Sequence, residues 1–230
     1  YSGIGGMQEG AKRVGIPNIL SMDAWDKALA VAQANHPEGE YEQVTFGQGE
    51  EGTVEAVLQR ILGEADGGDY HLHGSPPCDH FSMANPHGQE NPEIGMEQVL
   101  WYLQLVDQAR QSENAPTSWS MEQVPQVRKP LLADNPPWEK PPEYQRELAR
   151  KPLLTARQFG SPQHRGRFFA GQGWEAQPTH PVGQQLSVHD TLPHLQGEAE
   201  ENIDERQAML DALLQAGNIH QPAHDYLMET

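Results

Sequence analysis

Cysteine occurs once in 230 residues, at Cys78, so the chain cannot close an internal disulfide. A lone thiol suits a reducing, intracellular setting. No long apolar run is present, which excludes a membrane-spanning helix, and no secretion signal is visible. Hydrophobic residues make up 36% of the chain, below the globular average yet enough for one core at this length. The expectation is one domain, or one domain with a part missing. Basic side chains are scarce: 15 Lys and Arg stand against 33 Asp and Glu, a net charge of −18. Such a surface repels phosphate. The scarcity is uneven, because residues 120–170 carry 9 basic and 5 acidic side chains. All the other basic residues are outnumbered locally.

What is present is a set of turns. The chain has 22 glycines and 19 prolines. Cys78 sits in Gly74-Ser75-Pro76-Pro77-Cys78-Asp79-His80-Phe81-Ser82. Two prolines fix φ and remove two N–H donors, so this is a stiff elbow. Asp69-Tyr70-His71-Leu72-His73 reads as a strand leading into it. A rigid elbow at a strand end holds a nucleophile in place. Three more segments stand out: Tyr1-Ser2-Gly3-Ile4-Gly5-Gly6-Met7, Ser120-Met121-Glu122-Gln123-Val124-Pro125 and Gly160-Ser161-Pro162-Gln163-His164-Arg165-Gly166-Arg167.

Periodicity predicts alternating elements. Helices are expected at Gln8–Val14, Asp26–Asn35, Thr53–Glu64, Met96–Gln111 and Glu143–Lys151. Strands are expected at Asn18–Met22, Tyr70–His73, Ser118–Gln123 and Arg167–Ala170. Pro130–Pro142 reads as a proline-rich loop. Ala208–Leu214 reads as a helix, after an acidic, solvated stretch from Glu198 to Glu205. The alternation implies an α/β sheet, mostly parallel, with helices on both faces.

The four segments, in this order, resemble the DNA (cytosine-5) methyltransferases, whose pattern is a Phe- or Tyr-led Ser-Gly-x-Gly-Gly loop, then Pro-Cys, Glu-Asn-Val and Pro-Gln-x-Arg-x-Arg. The resemblance covers about Tyr1 to Leu195. It implies a Rossmann-like S-adenosylmethionine-dependent methyltransferase domain over residues 1–195, followed by an acidic segment, 196–230. It also implies that the family's first strand, normally placed before the glycine loop, and the target-recognition domain are missing. Gly217-Asn218-Ile219 is only a faint match to the last family motif.

The resemblance assigns roles by position. Ser2, Gly3, Gly5 and Gly6 belong to the loop that holds S-adenosylmethionine. Asp23 takes the ribose-binding acidic position in one register; the other register puts Ala24 there and Trp25 against the adenine. Asp23 is favoured, because that register also aligns Ala28. Gln48 is a candidate adenine contact, although a solvated loop is the simpler reading. Pro76 and Leu100 complete the expected cofactor set. Cys78 is the nucleophile that adds to cytosine carbon 6. Glu122 manages a proton at ring nitrogen 3, and Arg165 and Arg167 are the paired arginines, with Arg167 favoured on the cytosine carbonyl. Ser75, Pro77, Ser82 and Gln163 contact the substrate, and Ser82 to His87 belong to a loop that closes over a flipped base. The implied partner is cytosine-containing DNA, bound by a monomer. Glu-Asn-Val has become Glu-Gln-Val here, which lengthens the supporting amide.

Three rivals compete. His71, His73, Cys78 and His80 form a cluster that zinc could use, but their spacing fits no common zinc pattern. The tRNA-methylating branch of the same family also opens Tyr-Ser-Gly-x-Gly-Gly-Met, yet it usually carries Asn-Ser before the arginines, where this chain has Gln163-His164 after Pro162. An inactive relative that only binds is the third.

Overall fold

The computed structural model describes residues 1–82, 92–134, 136–180, 184 and 186. The chain divides into two compact units, Tyr1–Thr155 with Gly166–Gln177, and Ala156–Arg165 with Pro178–Thr230. The expected boundary at residue 195 and the expected helix Ala208–Leu214 lie outside the described residues.

In the first unit the helices start where their sequences provide a start. Gly5, at φ 99°, leads into helix α1 (Gly6–Arg13), where Glu9 and Arg13 pair at 2.7 Å. Strand β1 (Leu20–Asp23) follows, then α2 (Asp26–Asn35), which buries Ala28, Leu29 and Ala32. Strand β2 (Glu40–Gln43) comes next. Helix α3 (Val54–Ala65) is capped by Thr53, whose hydroxyl accepts from Ala56 N at 3.2 Å. It ends at Asp66, whose φ of 44° is left-handed. Strand β3 (His71–Gly74) leads to the elbow. Helix α4 (Pro92–Gln111) buries Met96, Val99, Tyr102, Leu103 and Val106, a continuous stripe at helical spacing. Strand β4 (Ser118–Gln123), α5 (Arg128–Leu131), α6 (Glu143–Leu148), β5 (Leu154–Thr155) and β6 (Gly166–Gln172) complete the unit.

Two sheets result, β1-β2 and β3-β4-β6-β5. The β1–β2 and β3–β4 pairs are parallel; β4–β6 and β5–β6 are antiparallel. The expected mostly parallel sheet is thus parallel in only half of its described pairings. Helices cover both faces. Gln8 of α1 donates to Ser21 Oγ at 2.7 Å, which places α1 on the Ser21 face of β1. Met22, on the opposite face, joins Val57 and Leu58 of α3 in the core. Tyr102 of α4 donates to Leu72 O at 3.2 Å and Ser120 O at 2.9 Å, clamping α4 across β3 and β4.

Two strands escaped the sequence reading. Strand β2 reads Glu-Tyr-Glu-Gln and shows no apolar alternation, because it lies at a sheet edge, where Glu42 pairs with Arg60 at 2.9 Å. Strand β5 is two residues long. Helix α4 begins at Pro92, a turn before the expected Met96, since proline suits a first helical position. The expected loop from Pro130 also opens inside α5.

In the second unit a short 3₁₀ turn spans Ala156–Phe159. Ala156 N donates to Arg165 O at 3.0 Å, and His180 N donates to Gln158 O at 2.9 Å. Gly160, at φ 82°, lies against the His180 ring.

Gly74 has no room for a side chain, because an added Cβ would lie 2.3 Å from the Tyr102 ring. Gly74→Ala is expected to destabilise the fold by about 1–3 kcal/mol, as overpacking does. Urea unfolding measures this; an unchanged midpoint would refute the clamp.

Candidate active site

The elbow is built by two strand ends lying side by side. Strand β3 runs parallel to β4, with Gly74 opposite Met121. Gln123 at the end of β4 donates from Nε2 to Pro76 O at 2.6 Å and accepts from Val124 N at 3.1 Å. It is fully buried. The amide that replaces asparagine in the family pattern therefore bonds the elbow backbone. Beyond it, Cys78 O accepts from Phe81 N at 3.0 Å and Ser82 N at 2.9 Å, closing a turn. Phe81 is buried and anchors that turn against Gly95. Cys78 is half-buried between the prolines and this turn.

Glu122 precedes Gln123 and pairs with Phe169 across β4 and β6. Arg167 lies two residues from Phe169, hence on the same face. Its Nε meets Glu122 Oε1 at 2.6 Å, with both side chains about one-quarter exposed. Burial pushes the Cys78 thiol up from its ordinary value. The Glu122 carboxylate adds to this rise, and the Arg167 guanidinium opposes it. The resting thiol is therefore protonated at neutral pH. Cys78, Glu122 and Arg167 share one electrostatic neighbourhood.

The glycine loop lies at the carboxyl end of β1. Gly3 and Gly5 are both left-handed, at φ 59° and 99°. Asp23 accepts from Gly3 N at 2.8 Å through Oδ2 and from Trp25 N at 3.0 Å through Oδ1. Both carboxylate oxygens thus order backbone here. Trp25 is exposed. Gln48 is exposed in the loop after Phe46, in line with the solvated reading. Leu100 packs against the core from α4. Ser2 Oγ is buried without a hydrogen-bond partner among the described residues.

Arg165 and Gln163 are exposed and belong to the second unit. Pro77 is exposed, while Ser75 and Ser82 are half-buried. Met83 to His87 of the expected closing loop fall outside the described residues. The basic stretch is partly consumed by structure: Arg128 donates to Ala149 O at 2.7 Å, Arg146 pairs with Glu143 at 2.9 Å, and Lys151 donates to Gly171 O at 3.2 Å.

The His pair has a different setting from the one zinc would need. His71 contacts Ser118 Oγ at 2.6 Å and Ser120 Oγ at 2.8 Å. His73 contacts Ser120 Oγ at 2.8 Å and Ser75 Oγ at 3.1 Å. All four ring nitrogens meet serine hydroxyls, forming a ladder that ends at the elbow. Sequence reasoning missed these serines. The available signal was the matching alternation of His-x-His and Ser-x-Ser on neighbouring strands.

Comparison with known proteins follows this geometry. The family model described as C-5 cytosine-specific DNA methylase matches residues 1–215. No curated protein matches at a significant level. A putative DNA modification methyltransferase encoded within an E. coli prophage is similar in fold, with TM-score 0.50 and 18% identity, over 84% of this chain and 52% of that one. The S. pombe Dnmt2 methyltransferase gives TM-score 0.49 and 18% identity over the same shares. The chain therefore spans about half the length of these structures.

Two outcomes are expected. Alkylation of Cys78 by iodoacetamide should show a pH midpoint above the ordinary thiol range. Glu122→Gln should move that midpoint down and Arg167→Met should move it up. Mass spectrometry across pH reads both, and a rise with Glu122→Gln or a fall with Arg167→Met would refute the arrangement. Burial, then His71 and the terminal amino group, lowers the His73 pKa from 6.5 to about 4. The unfolded chain then binds more protons between these values. Stability should be complete above pH 6.5 and fall as pH drops toward 4. Replacement by glutamine should flatten that slope in urea titrations.

Proposed function

The chain belongs to the C-5 cytosine-specific DNA methylase family, matched over residues 1–215, and from that premise we propose that it methylates carbon 5 of cytosine in DNA. The observation that carries this reading is the 2.6 Å Glu122–Arg167 pair acting on the Cys78 thiol.

The family implies S-adenosylmethionine as cofactor, and the residues present fit it. Gly3 is left-handed, and a Cβ there would meet nothing within 4 Å, so the backbone is open to a ligand. The orphaned Ser2 Oγ and the Asp23 carboxylate supply polar groups beside it. Ser2, Gly3, Gly5, Gly6, Asp23 and Trp25 would hold the cofactor, whose bound form supplies an electrophilic methyl group.

Cytosine carbon 5 is a weak nucleophile until the ring is activated. The Cys78 thiol gives up its proton to the Glu122 carboxylate, its sulfur adds to carbon 6, and the ring's electron pair moves toward nitrogen 3, which takes that proton from Glu122. Glu122 holds a proton at nitrogen 3, so the ring becomes a neutral enamine with a nucleophilic carbon 5. Arg167 binds the ring carbonyl oxygen and holds its orientation. After methylation, loss of the carbon-5 proton returns the electrons and expels the Cys78 thiolate. Arg165 and Gln163, exposed on the second unit, are candidates for a phosphate contact. The base must leave the duplex to reach these groups.

Duplex DNA containing 5-fluorocytosine tests the reading, because fluorine cannot leave as the proton does. With S-adenosylmethionine, a covalent protein–DNA band is expected. Cys78→Ala should abolish it, and Glu122→Gln should slow it by about 10²–10⁴-fold. An adduct that persists in Cys78→Ala overturns the mechanism. An adduct with fluorinated tRNA alone moves the substrate to RNA.

A further inference from the structure

The histidine–serine ladder has an inner end, an outer end and a direction. Strand register builds it: His71 lies opposite Ser118, and His73 lies opposite Ser120. Ser118, Ser120 and Glu122 alternate along β4, so the ladder and the Glu122–Arg167 pair share one face of the sheet. One step beyond the pairing of Gly74 with Met121, the same register brings Ser75 beside Glu122. The 2.6 Å bond from Gln123 to Pro76 O keeps the two chains side by side there. Ser75 is thus next to the carboxylate assigned to nitrogen 3, and three residues before the thiol assigned to carbon 6. At the other end His71 is exposed. Between the two ends Ser120 is buried.

A continuous hydrogen-bond path joins these ends. Ser75 Oγ meets His73 Nε2 at 3.1 Å, His73 Nδ1 meets Ser120 Oγ at 2.8 Å, and Ser120 Oγ meets His71 Nε2 at 2.8 Å. His71 Nδ1 meets Ser118 Oγ at 2.6 Å. A hydroxyl carries one proton and a neutral imidazole carries one N–H. With Ser75 donating to His73, every later link takes the same sense: His73 Nδ1 donates to Ser120, Ser120 donates to His71 Nε2, and His71 Nδ1 donates to Ser118. Such a chain moves a proton from end to end by one short hop at each link. Burial lowers the pKa of the His71 ring and, with His71 and the terminal amino group, that of His73 to about 4. Neither ring then stores the proton as an imidazolium at neutral pH.

The proposed reaction has a proton to dispose of. Moving a methyl group from a sulfonium to a carbon that bears hydrogen releases one proton per turnover. Glu122 is occupied with nitrogen 3, so the carbon-5 proton needs another acceptor.

Resting on that reaction, we propose that the Ser75–His73–Ser120–His71 ladder is the exit path of the carbon-5 proton. The bond from carbon 5 to hydrogen breaks, and its electron pair forms the double bond between carbons 5 and 6. The bond from carbon 6 to sulfur breaks, and its pair stays on Cys78. The proton passes to Ser75 Oγ as Ser75 gives its own to His73 Nε2. The His73 Nδ1 proton passes to Ser120, the Ser120 proton passes to His71 Nε2, and the His71 Nδ1 proton leaves through Ser118 to water. Ser75 is the member that touches the base. His73, Ser120 and His71 act through it.

Nitrogen-15 NMR of the histidine rings is the first test, and it needs neither methyl donor nor nucleic acid. Export requires His73 with Nδ1 protonated and Nε2 bare at neutral pH. A proton on Nε2 instead would reverse the chain and overturn the path.

Kinetics are the second test. Ser120→Ala and His73→Gln should still form the 5-fluorocytosine adduct at the rate of the unaltered chain, because addition and methylation precede proton loss. Adduct formation also reports that these variants fold. On ordinary cytosine their turnover should fall by about 10²–10⁴-fold, and the methylated covalent intermediate should accumulate. His71→Ala should lose turnover likewise and regain it with imidazole in the buffer, because that end meets solvent. Adduct formation and turnover falling together would reduce the ladder to a structural staple, and unchanged turnover would give the proton another exit; either result overturns the path. If the unaltered chain forms no adduct, the reaction itself fails and the path fails with it.

Discussion

Gln123 spends its amide on backbone inside the protein. One end holds Pro76 O at 2.6 Å and the other accepts from Val124 N at 3.1 Å. That bridge locks the end of β4 to the elbow after β3. Neither proline can donate a backbone hydrogen bond, so the elbow cannot bond itself into place. It must be held from outside, and Gln123 holds it. Leaving a buried amide unpaired costs about 1–3 kcal/mol, so the bridge is also hard to break. Cys78 inherits its position from this lock and from the turn that Phe81 anchors.

The same geometry decides the charge state of the site. Glu122 is the residue before Gln123, so the lock that places the elbow also places the carboxylate. Arg167 comes from β6, and its position follows from the antiparallel register with β4. At rest the carboxylate and guanidinium satisfy each other at 2.6 Å. Both groups are needed by the base in the proposed reaction, one at nitrogen 3 and one at the carbonyl. A ring entering between them would exchange one ion pair for two directed contacts. The raised thiol fits this order of events, because a permanently ionised Cys78 next to a carboxylate would be repelled. Its ionisation is easiest once the base has drawn the Glu122 charge away.

The fold class was legible because its elements state their own periods. Val54, Val57, Leu58 and Ile61 mark α3, and Thr53 marks its start. Strand β2 was hidden because its residues work at a surface, as Glu42 does with Arg60. The candidate site was legible only where one residue type had one plausible task. Cys78 stood alone in composition. Asp23 was picked out as an acid at a strand end, but its two oxygens serve the Gly3 and Trp25 amides, a fact of loop geometry rather than of spacing. Most of the His–Ser ladder was missed because Ser118 and Ser120 lie 47 or 49 residues from their histidines and meet them only through strand register.

Charge poses the last physical problem, since the proposed reaction asks a chain at −18 to meet a polyanion. Residues 120–170 supply the local excess of cations, yet several are already committed. Arg128 and Lys151 hold backbone carbonyls, and Arg146 and Arg150 pair with Glu143 and Glu147. What remains for phosphate is a short set that includes exposed Lys129, Lys140 and Arg165. Few neutralised phosphates mean weak, weakly salt-dependent attachment, since each phosphate contact contributes about one unit to the salt slope. In the proposed reaction, affinity in this region would then come from the captured base itself, through Arg167 and the covalent bond to Cys78. That is a contact which discriminates by chemistry rather than by charge.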